Sequence, residues 1–451
     1  MNKILCLIAF CIAGFAFAGS PLSLKQALSE GLKGNLDIQK SELGSDGIDA
    51  QVDAAFRRYF PQLSASGTVT KLWMDPTTVP NYPAWIKSLA GAGPLNPNDA
   101  FMEIPINWNV SAEFTLRQFL YVPQALTGIA MAKKGKEIDA LVKQEIKEGI
   151  IYGISMLYWG IVCMEENLEV MQKSKDNLGK TRGAIAAMVE QGIVKKGDLN
   201  TMDINLVDLG TKIDNLKVEI QTKKHALLQI MGRYVGEDIS LTDRLSVDSR
   251  ASGGESGDPL QSSIALKRMD QMVRLQEMQI DLTRESIYPN VVAFASYGTK
   301  ASRENFDFFS SPKDKFADNG TLGINVSVPI FDGMSNKAER TYARIQKRQM
   351  EMDREKQKID LQVGYENAKL VLFNAQNLVE RNKGNVKLAE ENYIMKELEY
   401  KEQVAAITDL LTADNNMQTA NLNLIGALCT EKTAELTLEQ ILGILRQKAA
   451  E

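Results

Sequence analysis

Apolar and polar residues alternate in four short segments of this chain. The alternation is regular in residues 63–70, 106–116 and 322–330 and weaker in residues 291–298. A period of two predicts β-strands with one apolar and one polar face. Each segment is about ten residues, the length of a tilted strand that crosses a bilayer, but a half-buried sheet in a soluble domain alternates in the same way.

Two much longer segments have a helical pattern. Residues 124–189 and 335–400 contain no proline, and at 1.5 Å per residue each predicts a helix of about 100 Å. A break in the helical pattern follows each run, at 192–197 in the first and at 403–406 in the second. After each break a returning helix is predicted, which ends at Gly232 in the first case and at Gly443 in the second. A narrow apolar stripe on the second run predicts coiled-coil or side-by-side packing. Its members are Val363, Leu370, Leu378, Leu388 and Tyr393.

The two halves of the chain have the same order of elements. Three features of the first half recur 211 residues later in the second half. The sequence that ends at Gly232 recurs at Gly443, Asp198 recurs as Asp409, and Asp203 recurs as Asp414. This spacing predicts a duplication. The predicted first repeat is 19–232, with strand–loop–strand at 61–117 and a helical hairpin at 120–232. A linker spans 233–258, and the second repeat, 259–451, has its strands at 290–331 and its hairpin at 333–445, followed by a short tail.

If the strands cross a membrane, the sheet must close, because unpaired backbone groups at an open edge are costly in hydrocarbon. Four strands are too few, since single-chain barrels begin at about eight. We therefore expect several copies of the chain to share one barrel. The alternation predicts which side chains face the aqueous lumen and which face lipid. Asn107, Asn109, Ser111, Asn325 and Ser327 are predicted to face the lumen, and Trp108, Val110, Ile324 and Val326 the lipid.

The N-terminus has the pattern of a secretory signal peptide. Lys3 precedes an apolar run at 4–17, and the small residues Ala16 and Ala18 come before Gly19. The pattern predicts a signal peptide at 1–18 and a secreted chain. Cys11 follows Phe10 and not a small residue, so we do not expect lipidation. Beyond the signal we expect no transmembrane helix.

Composition excludes several classes of function. A net charge of −5 with scattered basic residues gives no nucleic-acid footprint, and His225 is the only histidine. No metal-ligand or phosphate-loop motif occurs, so we expect no metal, no cofactor and no enzymatic activity. Cys163 and Cys429 lie in different long helices without a framework spacing. We expect both to be small buried residues and not a disulfide.

Four segments give the chain a resemblance to the TolC family of outer-membrane efflux and secretion channels. They are residues 24–28 (LKQAL) with Asn35, residues 58–63 (RYFPQL), residues 328–333 (VPIFDG), and residues 400–411 (YKEQVAAITDLL) with Ala413. The order, duplication and spacing of these segments carry the resemblance. It covers essentially all of the sequence after the signal peptide.

The resemblance implies an α+β membrane protein and a homotrimer. Four strands from each chain would form a twelve-stranded barrel in the outer membrane of a Gram-negative bacterium, continuous with a helical coiled-coil tunnel across the periplasm. Such a channel takes substrates from an inner-membrane transporter through a periplasmic adaptor and releases them outside. The alternative from the sequence is a trimeric coiled-coil surface or periplasmic spacer protein that forms no channel.

The resemblance also implies a gate at the periplasmic end. The family's gate tyrosine corresponds to Tyr400 and the first aspartate of its acidic constriction to Asp409, while Thr412 stands at the second aspartate and Ala405 at a locking arginine. Asp198 is the first-hairpin counterpart of Asp409, and Asp414 is a candidate replacement for the missing acid. The hairpin tips expected to contact the adaptor are Gly192 and Val194, and Gln403 and Val404. An acid such as Asp409 is also favoured near a helix N-terminus by the helix dipole alone.

Overall fold

The computed structural model describes residues 20–73, 107–246, 258–310, 316–402 and 404–445, together with the backbone of 79–80 and 101–102. The predicted signal peptide, most of the predicted loop at 74–105, and Gln403 lie outside these ranges. The chain divides into two compact units. We call Met1–Asp46, Glu137–Met272 and Met350–Glu451 the helical unit, and Gly47–Lys136 with Val273–Gln349 the sheet unit.

The elements follow one another in a regular order. In sequence they are β1 (Ser20–Leu22), α1 (Leu24–Gly34), α2 (Leu36–Arg57), β2 (Gln62–Lys71), β3 (Val79–Pro80), β4 (Phe101–Met102), β5 (Trp108–Tyr121), α3 (Pro123–Glu190), α4 (Lys196–Met231), β6 (Ile239–Leu241), α5 (Pro259–Ser262), α6 (Ile264–Glu285), β7 (Asn290–Arg303), β8 (Ala317–Ser327), α7 (Ser335–Lys401) and α8 (Ile407–Ile441). A strand pair therefore precedes a helix of 68 residues in the first half and one of 67 residues in the second.

Four strands of the sheet unit form one antiparallel sheet in the order β2-β5-β7-β8. All four segments with alternating residues contribute to it. Strand β8 begins earlier than the predicted segment and ends at Ser327, two residues before Pro329. Proline has no N–H for a ladder hydrogen bond and is disfavoured inside a strand. Ile106, at the start of the predicted second strand, lies outside the described residues.

The register of the sheet puts the predicted lumen and lipid sets on opposite faces. Val110 pairs with Val69 and Ala301 on the apolar face, while Ser111 pairs with Thr68 and Lys300 on the polar face. Ile324 and Val326 lie on the apolar face, and Asn325 and Ser327 on the polar face.

The connection between β7 and β8 packs onto one end of the apolar face. Phe308 is fully buried and contacts Val110 and Ala301, and the ring centroids of Trp108 and Phe306 lie 4.9 Å apart. Val110 is therefore covered by Phe308, where the alternation predicted contact with lipid. Strict alternation shows which face a residue occupies, but not that an aromatic loop folds over that face.

The core of the helical unit lies where α1, α3 and α4 meet. Ile154 and Tyr158 of α3 pack with Leu227 and Met231 of α4. Gly232 ends α4 with φ +73°, and a Cβ there would lie 2.1 Å from the carbonyl oxygen of Gly34. Only glycine permits this conformation and this close approach between α1 and α4.

Asn35 connects α1, α2 and α4. Its side-chain oxygen accepts hydrogen bonds from the N–H groups of Asp37 (2.8 Å) and Ile38 (3.1 Å) at the start of α2, and its Nδ2 donates to the carbonyl of Ile230 (2.7 Å). Asn35 is thus both an N-cap and a link to α4, which accounts for an asparagine at this position.

Two expectations from the sequence need correction. Cys163 of α3 and Cys429 of α8 form a disulfide, with their Cα atoms 6.1 Å apart. Spacing along the chain did not show that two helices 266 residues apart lie side by side. Within the predicted linker or equatorial segment, β6 pairs in parallel with β1.

The second correction concerns α3, because the sequence was expected to contain no stretch after the signal peptide that is apolar enough to cross a membrane. By length and composition alone it could cross a membrane, and 44% of its most apolar window is buried. That is weak evidence for a span, because a core helix passes the same test. Ile151, Ile154 and Ile161 belong to the core of the helical unit, so we interpret the apolar stretch of α3 as core.

Candidate functional site

The two hairpin tips are built by different backbone devices. After α3, Gly192 has φ +72°, its N–H donates to the carbonyl of Val189 (3.0 Å), and the N–H of Ile193 donates to that of Met188 (2.9 Å). These bonds satisfy the last carbonyls of the helix, as in a Schellman motif. After α7, the N–H groups of Val404 (2.8 Å) and Ala405 (3.2 Å) both donate to the carbonyl of Glu399.

The predicted tip residues differ in exposure. Val404 is 78% exposed and Gly192 is exposed, whereas Val194 is half-buried against the core beneath the tips. Gln403, the fourth predicted adaptor-contacting residue, lies outside the described residues. Glycine is therefore required in the first tip, and the second tip forms without one at the described positions.

A shared apolar core joins the two hairpins beneath their tips. Ile185 of α3, Met202 of α4, Tyr400 of α7 and Leu410 of α8 all belong to it. Contacts within the chain therefore position Tyr400, the predicted gate tyrosine.

Tyr400 lies in the last turn of α7 and is buried. Its hydroxyl has no hydrogen-bond partner in the part of the chain that the structure describes. Burial, and secondarily the negative charge of Asp198 in the first turn of α4, raises the pKa of Tyr400. The structure thus brings together two predicted site residues, Tyr400 and Asp198, from different hairpins.

Asp409 and Thr412 are exposed on α8. The Asp409 carboxylate accepts a hydrogen bond from the N–H of Ala406 (3.2 Å), and the Thr412 hydroxyl donates to the carbonyl of Thr408 (2.7 Å). The capping role of Asp409 agrees with the helix-dipole interpretation. Its exposure leaves the carboxylate accessible to solvent, so the capping role does not exclude the predicted constriction role.

Asp414 is 2% exposed and lies between helices of the same protomer. The hydroxyl of Ser174 on α3 donates to its Oδ2 (2.9 Å), and its Oδ1 has no partner among the described residues. Burial raises the pKa of Asp414, against a smaller lowering by Ser174. In this conformation Asp414 does not present its carboxylate to solvent beside Asp409.

Ion pairs surround the tips. Arg182 of α3 pairs with Asp203 of α4 (2.6 Å), and the hydrogen bond from Arg182 lowers the pKa of Asp203. On α7, Lys396 pairs with Glu399 (2.6 Å). That hydrogen bond, and to a smaller extent the charge of Asp409, raises the pKa of Lys396. Cation and anion charges therefore alternate around the gate residues.

A cavity of about 430 Å³ lies between α3 and α7 near the tips. Its lining includes Lys180 and Thr181 from the first hairpin and Tyr393, Glu397 and Tyr400 from the second. No group of three or more His, Cys, Asp or Glu residues in the described part of the chain is arranged to hold a metal ion.

Sequence reasoning missed Ser174 and Tyr393, which surround Asp414. Burial, and then the charge of Asp414, raises the pKa of Tyr393 to about 12. A signal for Tyr393 was present, since it stands 211 residues after Arg182, as Asp414 stands after Asp203. No comparable signal pointed to Ser174.

The sequence profile described as "Outer membrane efflux protein" matches residues 257–444. Residues 257–444 are therefore similar to an outer membrane efflux protein domain. This confirms the resemblance to the TolC family. A search of curated protein sequences found no match.

Solved structures of outer-membrane channels share the fold over 93% of this chain. The Campylobacter jejuni CmeC outer membrane channel has a TM-score of 0.75 at 13% identity, with 85% of that chain covered. OprN, described as an outer-membrane channel, has a TM-score of 0.75 at 15% identity and 89% coverage. VceC, an outer membrane protein of Vibrio cholerae, has 0.71 at 15% identity and 96% coverage. At these identities the likeness establishes the fold.

Proposed function

We propose that this chain forms an outer-membrane channel-tunnel, which carries substrates from an inner-membrane transporter and a periplasmic adaptor to the exterior. The efflux-protein domain and the fold shared with outer-membrane channels support this function. We assign the chain to channels and not to enzymes. The single observation that carries the proposal is the open, two-faced sheet.

Strands β2 and β8 are the two edges of the four-stranded sheet. On its apolar face Leu322 is 86% and Ile324 64% exposed within a single chain. Burying such residues in lipid is favourable, but a spanning sheet cannot leave its edges unpaired. Pairing β2 of one copy with β8 of the next satisfies both edges, and three copies give twelve strands.

An exposed apolar stripe on α7 supports association of the same copies. Ile345, Met352 and Ile359 recur every seven residues, and each is more than half exposed. Val363 and Leu370 continue the stripe. A seven-residue repeat is the packing signature of helices that wind around one another. We therefore propose a homotrimer in which the helical hairpins wall a tunnel.

The exposed tips are the proposed contact surface for a periplasmic adaptor. Val404 offers an apolar anchor, and the Gly192 turn offers a backbone surface without a side chain. Three copies of Asp409 would form the acidic constriction near the tunnel axis.

Single-channel recording tests the proposed function. Purified trimer should give discrete, cation-selective current steps in a planar bilayer. Asp409→Asn, which removes a charge at the proposed constriction, should retain current with lower cation selectivity. Asp53→Asn is the matched control, because Asp53 pairs with Arg57 (2.6 Å) on α2. A stable trimer without current in all three proteins would support the coiled-coil spacer instead.

A further inference from the structure

The polar face of the sheet changes character at one end. Most of the face carries small hydroxyl and amide side chains, including Ser66, Thr68, Asn109, Ser111, Ser296 and Thr321. Near the start of β7 it carries Arg117, Phe119, Val292 and Phe294 instead. These four residues line part of a cavity of about 550 Å³ on this face. Two aromatic rings on a surface otherwise suited to water require a separate explanation.

The chain makes room for one of these rings. Phe294 pairs with Arg117 on β5 and with Gly323 on β8. A Cβ at Gly323 would lie 2.9 Å from two ring carbons of Phe294. The ring therefore lies over the glycine, and a larger residue at 323 would displace it. Phe119 is on the same face, one pair beyond Arg117 and opposite Val292.

Arg117 is the cation beside these rings. Its side chain makes no hydrogen bond or ion pair with any described residue, and its cross-strand neighbours are Gln62 and Phe294. Glu113 also lines the cavity, but its Cα lies four residues from that of Arg117 on the same strand, about 13 Å at a strand rise of 3.3 Å per residue, and the two side chains form no ion pair. A guanidinium without a carboxylate partner is available for an anion, which it can bind with two parallel hydrogen bonds.

We propose that Arg117, Phe119 and Phe294 form a binding subsite for aromatic anions in the lumen of the barrel. The apolar part of the ligand stacks on the two rings, and its carboxylate or sulfonate binds the Arg117 guanidinium. This inference rests on the proposed function, which makes the polar face the wall of a water-filled pore. Three copies give three equivalent subsites, each contained within one chain.

Block of the ion current by matched anions tests the subsite. The probes are 2-naphthalenesulfonate and methanesulfonate, which share the anionic group but not the rings. Stacking on an aromatic side chain typically strengthens binding about tenfold or more. We expect 2-naphthalenesulfonate to block the wild-type trimer at about one tenth of the concentration that methanesulfonate requires.

Variants separate the subsite from a general effect of pore charge. Arg117→Gln and Phe294→Leu should each raise the half-blocking concentration of 2-naphthalenesulfonate about tenfold, because each removes one of the two contacts. Lys300→Gln is the matched control. Lys300 is another cation on this face, without a partner among the described residues, but its cross-strand neighbours are Ser111 and Ala317. Its loss should change the block less than about twofold, since no aromatic ring is beside it.

The outcomes separate this inference from the proposed function. Wild-type protein that conducts, but is blocked equally by both anions or equally before and after Arg117→Gln, retains the channel and overturns the subsite. Wild-type protein that gives no current overturns the proposed function. Calorimetric titration of the trimer in detergent tests binding without a pore. Loss of 2-naphthalenesulfonate binding in Arg117→Gln but not in Lys300→Gln supports the subsite, and equal binding by all three proteins overturns it.

Discussion

Removal of the Cys163–Cys429 disulfide should destabilise the helical unit measurably. The bridge joins α3 to α8 and closes a loop with a sequence separation of 266 residues. For a loop of that length, the entropy lost by the unfolded chain corresponds to about 5.6 kcal/mol at 25 °C in the chain-entropy model. Native disulfides measured by removal contribute about 2–5 kcal/mol. We therefore expect the Cys163→Ser/Cys429→Ser variant to lose a free energy of unfolding in that range.

Urea unfolding in detergent measures this loss. At an m-value of about 3 kcal/mol/M, a loss of 2–5 kcal/mol lowers the urea midpoint by about 0.7–1.7 M. Trp159 is a nearby fluorescent reporter, four residues before Cys163 on α3, with the Lys432 ammonium 5.0 Å from its ring centroid. Thiol counting gives an independent check. The unfolded mature chain should have no reactive thiol until it is reduced, and two afterwards.

Controls separate the covalent bond from packing at the two positions. Single Cys163→Ser should unfold at nearly the same urea concentration as the double variant, because either change removes the bridge. A reductant should shift wild type to the midpoint of the double variant and leave the double variant unchanged. Reactive thiols in unreduced protein, or a wild-type midpoint that does not respond to the reductant, would refute the reasoning.

Three further predictions concern charge. Asp409→Ala should lower cation selectivity and relieve block by divalent cations in single-channel recordings, because three copies of Asp409 are expected to bring like charges together at the axis. Asp53→Ala should change neither property. Unchanged block in Asp409→Ala would place the constriction elsewhere. Ile324→Arg should cost about 2–4 kcal/mol more than Asn325→Arg in a refolding titration, since only Ile324 is exposed on the apolar face. Equal tolerance would contradict the face assignment. Burial raises the pKa of Asp414, so the folded chain binds its proton more tightly than the unfolded chain. The contribution of Asp414 to the free energy of unfolding is therefore fully present at a pH below its unfolded pKa of about 3.9. This contribution is lost as pH rises through the folded pKa. Asp414→Asn should flatten that part of the thermal stability profile, and an identical slope in the variant would argue against the buried carboxyl.

The sheet could be predicted from sequence because its information is local. A period of two is visible within ten residues, and residues such as Ser111 and Val110 lie on the faces that this period assigns. The loop over Val110 could not be predicted in this way. Phe306 and Phe308 lie in a segment without periodicity, and only the fold shows that Phe308 packs on Val110 and Ala301.

The disulfide, in contrast to the sheet, could not be predicted from the sequence. Sequence gives the positions of Cys163 and Cys429 but not the distance between α3 and α8, which depends on how two hairpins pack over 266 residues of chain. The candidate site residues likewise divide into those that local sequence predicts and those that only the fold shows. The tips and the acids near them follow from helix breaks and a constant offset. The burial of Asp414 depends on Ser174 of another hairpin.

Residues that correspond at the offset of 211 have different roles in the two hairpins. Arg182 and Asp203 of the first hairpin correspond, 211 residues later, to Tyr393 and Asp414 of the second. Arg182 and Asp203 form a half-exposed ion pair, which contributes little to stability because water screens it. With tyrosine in place of arginine, the second acid has no cation to pair with, and burial disfavours its charge. If the two hairpins derive from one ancestor, a surface ion pair became a buried carboxyl near the gate, through replacement of its partner and not of the acid.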